Sequence, residues 1–523
     1  MRKRVLGSAV LGVLMVGVGG GTIAAMQSPQ STAAPTEADI AASPAAKLLK
    51  EAIAAVGRDE EAIRSFIAAN AVPWQRVPLA QQSGARPPLY HLLNWRYRTQ
   101  GGLTLLNFMK VTPTRATARA RNPLTGEIEG VAFELEPNAP HRIAWVGGLG
   151  PGAPAVTQEP ATLGATEEAA RLKDLSAFID RLAKADVFSG VVLVARNGTP
   201  VFQEAYGYAD REKRIPNGID TRFRMASMTK MLTGFAIGQL VDQGRLSYDD
   251  PLAKFLPDFP NPESAKAIRV KHLLSHTSGI NGEYSNASFW SNIEKMTDLA
   301  SVMAVIEPGP KKFEPGTQHA YSNTGFLLLG RIIEVVTGQN YHDYMEEKLF
   351  KPLGMEHTGF PNYDRAGPDL ALPYEALLDE NEVFQQVLAP KRTRRGLPSG
   401  DGATTAQDML RFSVALQSGK VVKPETLRLH STPKPELMSP YYGYGTMIDA
   451  GSYGTMSSAR VAGRDVFGHS GEATGTCTEF GIVRDTPSPY TVIVLSNSSQ
   501  GTCHTVGRRI YHALAPRSAA GGS

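Results

Sequence analysis

The hydrophobic pattern along the chain changes character several times, and each change predicts a different element. Residues 5 to 25 form an uncharged run of mainly Val, Leu, Gly and Ala. Residues 26 to 42 are rich in Ala, Ser, Thr, Pro and Gln, show no periodic apolar face and read as a flexible tether. Order is expected from Ser43, which can cap a helix with Pro44 at its first position; Leu48, Leu49, Ala52, Ile53 and Val56 make an apolar stripe that Gly57 ends. Asp59 caps a second helix through Phe66. Between Leu89 and Trp145 the period drops to two, as in Arg115-Ala116-Thr117-Ala118-Arg119-Ala120-Arg121, with a turn at Asn122-Pro123-Leu124-Thr125-Gly126. Residues 43 to 150 therefore read as a small α+β module.

Five glycines and three prolines between 147 and 165 mark a linker, placed at 151 to 165. A larger domain, 166 to 515, follows. Thr166 caps a helix to about Lys184. Two apolar runs, 191 to 195 and 201 to 205, flank Asn197-Gly198, the dipeptide that favours a tight hairpin turn. Strands are expected again at 466 to 467, 476 to 483 and 490 to 495, and a helix from about Thr505 to Ala513. Sheet strands thus come from both ends of this domain, with mostly helical sequence between them.

Composition fits such a chain. Hydrophobic residues are 42% and charged residues 20% of 523, ordinary globular values that exclude a mainly disordered chain and a multi-span membrane protein. At roughly 150 residues per domain the length allows two to four domains, and the pattern selects two. The formal charge is +4, but Arg2, Lys3 and Arg4 stand directly before the uncharged run. A basic start, an apolar stretch and Ile23-Ala24-Ala25 make residues 1 to 25 a signal peptide. The alternative is an uncleaved anchor, since 21 uncharged residues can span a bilayer. Either predicts export to a periplasmic or extracellular space, with membrane contact only if the leader stays. Cleavage would leave 4 − 3 = +1, so a basic nucleic-acid-binding surface is not expected. Lys391-Arg392-Thr393-Arg394-Arg395 remains as one local basic run, read as a solvated loop. Cys477 and Cys503, the only two cysteines, are either a disulfide or two buried thiols, and their separation in space decides it.

Three short segments carry candidate chemistry. In Phe223-Arg224-Met225-Ala226-Ser227-Met228-Thr229-Lys230, Ser227 and Lys230 are three apart at the start of a helix running to about Val241. They share one face near the positive end of its dipole. A serine hydroxyl is a poor nucleophile until a base takes its proton, and a close, desolvated lysine can be that base. In Tyr321-Ser322-Asn323, before an apolar helix from Gly325 to Thr337, a tyrosine facing a lysine ammonium can shuttle protons, and an amide can orient the lysine or a substrate carbonyl. In Gly468-His469-Ser470-Gly471, on a predicted strand edge, a glycine admits a substrate backbone and a strand amide can face an oxyanion. Two other patterns fail. His272 and His276 lie four apart, but no Glu follows His272, so packing replaces a zinc reading. Glu472 stands where a nucleophile elbow of α/β-hydrolases requires glycine.

Taken in order, Ser227-x-x-Lys230, Tyr321-x-Asn323 and His469-x-Gly471 resemble the three motifs of the class C β-lactamase-like serine hydrolases. The resemblance spans roughly 170 to 515 and includes Asp249-Asp250-Pro251-Leu252, the text from Ile268 through Leu274-Ser275-His276-Thr277-Ser278-Gly279, Phe313-Glu314-Pro315-Gly316, Pro352-Leu353-Gly354-Met355 and Ser399-Gly400-Asp401-Gly402. It implies an α+β fold, the β-lactamase/transpeptidase-like domain: an antiparallel sheet flanked by helices, with an inserted helical subdomain. By looser analogy the front module would be cystatin- or NTF2-like. The resemblance further implies Ser227 as acyl-forming nucleophile, Lys230 and Tyr321 as general base and acid, Asn323 as a lysine and substrate contact, and the backbone amides of Ser227 and Glu472 as oxyanion hole. No metal or organic cofactor is implied.

One position departs from the β-lactamases. They carry Lys-Thr-Gly as third motif, where the lysine attracts the antibiotic's carboxylate, and His469 stands there in this chain. The expectation is therefore the esterase or D-aminopeptidase branch, acting on a small ester, amide or peptide. The alternatives are a peptidoglycan D,D-peptidase or weak β-lactamase, and, in another class, a non-catalytic penicillin-binding-like regulatory protein.

Overall fold

The computed structural model describes residues 34–72, 89, 93, 102–148, 157–158, 168–280, 296, 298–304, 311–363, 367–378, 384–388, 395–448, 465–484, 486, 488–498 and 502–514. The leader, the Thr166 cap and residues 391 to 394 of the basic run lie outside them. The chain divides into two compact units, one of residues 1–162 with Leu377–Gln385, the other of Leu163–Ala376 and Gln386–Ser523.

In the first unit helices precede a sheet. Helix α1, Glu37–Ala42, starts inside the expected tether. Thr36 and Asp39 form a capping box there, each side chain taking the other's backbone N–H, which is a helix signal that composition alone hides. Ser43 caps α2, Pro44–Val56, accepting Ala46 N–H at 3.1 Å, and Asp59 caps α3, which runs four residues past Phe66 over Glu60–Asn70. Strands β1 Thr104–Val111, β2 Arg115–Arg121, β3 Glu127–Leu135 and β4 Ile143–Gly148 follow as an antiparallel meander. Within the expected linker, β5, Thr157–Gln158, pairs with β3. The alternation read in β2 decides which face is covered. Ala116, Ala118 and Ala120 are fully buried in one core with Leu49, Ala52, Ile63 and Phe133.

In the second unit, α4 is Glu168–Lys184, β6 is Gly190–Arg196 and β7 is Thr199–Tyr206. Asn197 and Gly198 both have positive φ, 49° and 77°, the conformation that a two-residue turn matching strand twist demands. After a long helical stretch containing α5 Thr229–Asp242, α6 Asn323–Thr337 and α7 Ala406–Gln417, the chain returns to the sheet. It adds β8 Met447–Ile448, β9 Val466–Ala473, β10 Thr476–Val483 and β11 Tyr490–Ser496, then ends in α8, Thr502–Ala513. The six strands lie in the order β8-β9-β10-β11-β6-β7, so the first hairpin of the domain joins strands from its far end.

Val191–Ala195 and Val492–Leu495 are fully buried, because helices cover both faces. Helices α4 and α8 pack on one side; α5 and α7 pack on the other, where Phe412 meets Phe480. Helix α6 packs against α5 and against the short helix Val270–Leu274. Such near-continuous apolar runs suit strands covered on both sides. Cys477 on β10 and Cys503 on α8 form a disulfide with Cα atoms 5.7 Å apart. Among the described residues no helix is long and apolar enough to cross a membrane.

Candidate active site

Ser227 sits in a single 3₁₀ turn, Ala226–Met228, that feeds directly into α5. Ala226 holds a φ of 44°, a left-handed conformation costly for a residue with a Cβ, so the surroundings must enforce it. They do so through the loop Ser399-Gly400-Asp401-Gly402. Asp401 N–H donates to Ala226 O at 3.1 Å, Met225 N–H to Gly402 O at 2.7 Å, and Gly402 N–H to Thr229 Oγ1 at 3.1 Å. The loop is held in turn by Arg224, 6% exposed, whose guanidinium meets the Asp401 carboxylate at 2.7 Å and stacks 5.0 Å from the Tyr363 ring.

Lys230 is fully buried, whereas Ser227 remains partly open to solvent. The lysine Nζ donates to Ser227 Oγ at 3.2 Å, to Asn323 Oδ1 at 2.7 Å and to Ser399 O at 2.5 Å. Its Nζ also lies 4.8 Å from the centre of the Tyr321 ring. The three-residue spacing from Ser227 to Lys230 therefore produces the contact that the helix geometry requires, and Asn323 Oδ1 accepts from the same lysine.

Tyr321 and Asn323 are delivered by the start of α6. Ser322 is its cap, with Oγ accepting Gly325 N–H at 3.1 Å, while its own N–H donates to His276 Nδ1 at 3.0 Å. Strand β9 comes in from the third direction. A Cβ on Gly471 would lie 2.4 Å from Met225 O and 2.8 Å from Ser227 N, so only glycine lets the strand pass this close to the serine amide. Thr478, opposite Gly471 on β10, donates to Met225 O at 3.0 Å and ties the same turn to the sheet.

One motif residue stands differently from expectation. His469 is not presented to a substrate. It is fully buried, its Nε2 accepts from the Tyr442 hydroxyl at 2.8 Å, and its Nδ1–H donates to Ser470 O. Burial, with Lys230 nearby, pushes its pKa down to about 3, so the ring is neutral and supplies no cation for a carboxylate. Glu472 points its side chain to the α8 face of the sheet, 4.0 Å from His504 Nε2, leaving only its backbone for the site. The pair His272 and His276 also separates: His272 Nδ1 accepts Arg269 N–H at 3.2 Å, while His276 packs beside Tyr321. Among the described residues Cys477, Cys503 and His504 have metal-ligand spacing, but both sulfurs are spent in the disulfide. Arg224, Asp401 and His276 were the residues that motif reading left without a role. Asp401 lay in the quoted Ser-Gly-Asp-Gly segment, and its contact with Arg224, 177 residues away, had no local signal.

A sheet with helices on both faces, a serine at a helix start and a buried lysine on its hydroxyl define a β-lactamase-like serine hydrolase fold and site. The sequence model of the Beta-lactamase family matches residues 175–515, and the chain belongs to that family. A penicillin-binding protein of Bacillus subtilis (strain 168) is 28% identical over 348 residues, which cover 63% of this chain and 72% of that one. The teichoic acid D-alanine hydrolase of Staphylococcus aureus is 29% identical over 253 residues, 47% of this chain and 59% of that protein. Among solved structures, a D-stereospecific amidohydrolase from a Streptomyces species superposes with a TM-score of 0.51 at 28% identity, covering 65% of this chain and 97% of that one.

Proposed function

We propose that this chain is an exported serine hydrolase that cleaves D-aminoacyl esters or small D-aminoacyl amides through an acyl-Ser227 intermediate. The observation that carries the reading is the contact of the buried Lys230 Nζ with Ser227 Oγ, Asn323 Oδ1 and Ser399 O. In this reading the Lys230 ammonium supplies charge, and Tyr321, its ring centre 4.8 Å from that nitrogen, acts as the phenolate that takes the proton. Ser227 Oγ attacks the carbonyl carbon, and its proton passes to the Tyr321 oxygen. The oxyanion faces the amides of Ser227 and Glu472, which Gly471 allows to approach. Collapse expels the alcohol or amine, which takes the proton from Tyr321, and leaves the acyl ester on Ser227. Water then attacks this ester, gives a proton to Tyr321, and the proton returns to Ser227 as the acid leaves.

The substrate class rests on two supports. One relative is named as a teichoic acid D-alanine hydrolase and one similar structure as a D-stereospecific amidohydrolase, and the neutral, buried His469 offers no cation to a substrate carboxylate. Export rests on the basic start and apolar run of residues 1 to 25. Turnover should be compared for a D-alanyl ester, its L enantiomer, a short-chain alkanoate ester, a D-alanyl-D-alanine peptide and a penicillin. The D-alanyl ester is expected fastest. The two carboxylate-bearing substrates should trail by about 100-fold or more in kcat/KM, the scale of one lost charge-assisted contact. A penicillin or the peptide ranking first would defeat the assignment.

A further inference from the structure

His276 follows the short helix Val270–Leu274 and is fully buried, with a φ of 59°. Histidine and asparagine tolerate this left-handed region better than most side chains. Its contacts straddle Tyr321. The His276 carbonyl accepts Ala320 N–H at 2.9 Å, and its Nδ1 accepts Ser322 N–H at 3.0 Å, so the residues on either side of the tyrosine are tied to one histidine. The imidazole lies 4.2 Å from the Tyr321 ring, tilted by 30°, and 4.6 Å from the Tyr442 ring. An Nδ1 that accepts an amide hydrogen carries no proton of its own, which fixes the neutral Nε2–H tautomer. Burial, together with His319, Lys230 and His469, holds the pKa well below the ordinary histidine value and keeps the ring in that form. The bond to Ser322 also sets the cap of α6, and with it Asn323, whose Oδ1 receives Lys230.

We propose that His276 is a positioning residue for the proton-transfer step: by accepting Ser322 N–H and packing on Tyr321, it fixes the tyrosine and Asn323 against Lys230. This inference rests on the serine-hydrolase reading above. His276 touches no reacting atom in this role, so its loss should slow acylation without weakening substrate binding.

Asparagine and leucine are nearly isosteric, but only asparagine offers an acceptor near the Nδ1 position and tolerates the backbone. In the full chain, His276→Asn should keep the rate of Ser227 labelling by a fluorophosphonate, and kcat for a p-nitrophenyl ester, within about 5-fold of wild type. His276→Leu should lose about 50-fold in both with KM within about 3-fold, a fraction of what proton transfer contributes. Equal rates for the two variants in a labelled wild-type background, or a loss confined to KM, would overturn the positioning role alone. Absence of Ser227 labelling in wild type would overturn the hydrolase reading and this inference with it. Should the leucine variant fail to fold, His276→Asn decides: a loss above about 50-fold at an unchanged melting temperature overturns the proposal.

Discussion

Lys230 is the residue on which the site converges, because its one nitrogen meets Ser227, Asn323 and Ser399, from a helix start, a second helix start and a loop. A cation fully removed from water needs such satisfaction, since an unpaired buried ammonium costs several kcal/mol. Tyr321, whose ring centre lies 4.8 Å from the same nitrogen, is the group proposed to exchange protons with Ser227. Tyr321→Phe keeps the ring beside Lys230 and removes the hydroxyl. It should therefore lower kcat by about 100-fold to 10,000-fold, the usual range for general acid–base groups, with little change in melting temperature. Steady-state kinetics beside thermal unfolding checks this; a variant within a few-fold of wild type would remove Tyr321 from the chemistry.

At the scale of elements, the nucleophile turn is held by parts distant in sequence. The Ser399–Gly402 loop bonds it from one side, and β9 and β10 from the other through Gly471 and Thr478. Gly471→Ala would drive a Cβ to 2.4 Å from Met225 O and 2.8 Å from Ser227 N. Strand or turn must then shift, and kcat/KM should fall by about 100-fold or more, comparable to losing an oxyanion donor. An unchanged rate would show that the strand does not need this approach.

What the sequence could reveal follows the same division. The Ser227–Lys230 contact, the Ser43 cap and the Asn197-Gly198 turn depend on neighbours a few residues away, so spacing and residue type disclosed them. The Thr36–Asp39 capping box was equally local, and compositional averaging over residues 26 to 42 concealed it. The Arg224–Asp401 pair, 177 residues apart, and the His276–Ser322 bond, 46 apart, exist only once the chain has folded. His469 shows the reverse error: its motif position suggested a substrate contact, but the Tyr442 hydroxyl, 27 residues upstream, engages its ring inside the protein.

Across the whole molecule, buried neutral histidines make the fold sensitive to acid. Burial pushes His430 and His469 down to about 3, and His272 and His342 to about 4, against an ordinary value of 6.5. Below pH 6.5 the unfolded chain therefore binds protons that the folded chain refuses, so their contribution is fully present above that pH and is lost as pH falls toward 3 to 4. The melting temperature should drop steadily from pH 7 to pH 4, and a flat profile by calorimetry would contradict this account of the histidines. None of this touches the central claim, that Ser227 is a nucleophile made reactive by its surroundings. The direct measurement is intact-mass spectrometry with peptide mapping after exposure of the folded full chain to a fluorophosphonate. One adduct per chain, on Ser227 and absent from Ser227→Ala, is the expected result; no adduct, or one elsewhere that survives the substitution, would contradict it.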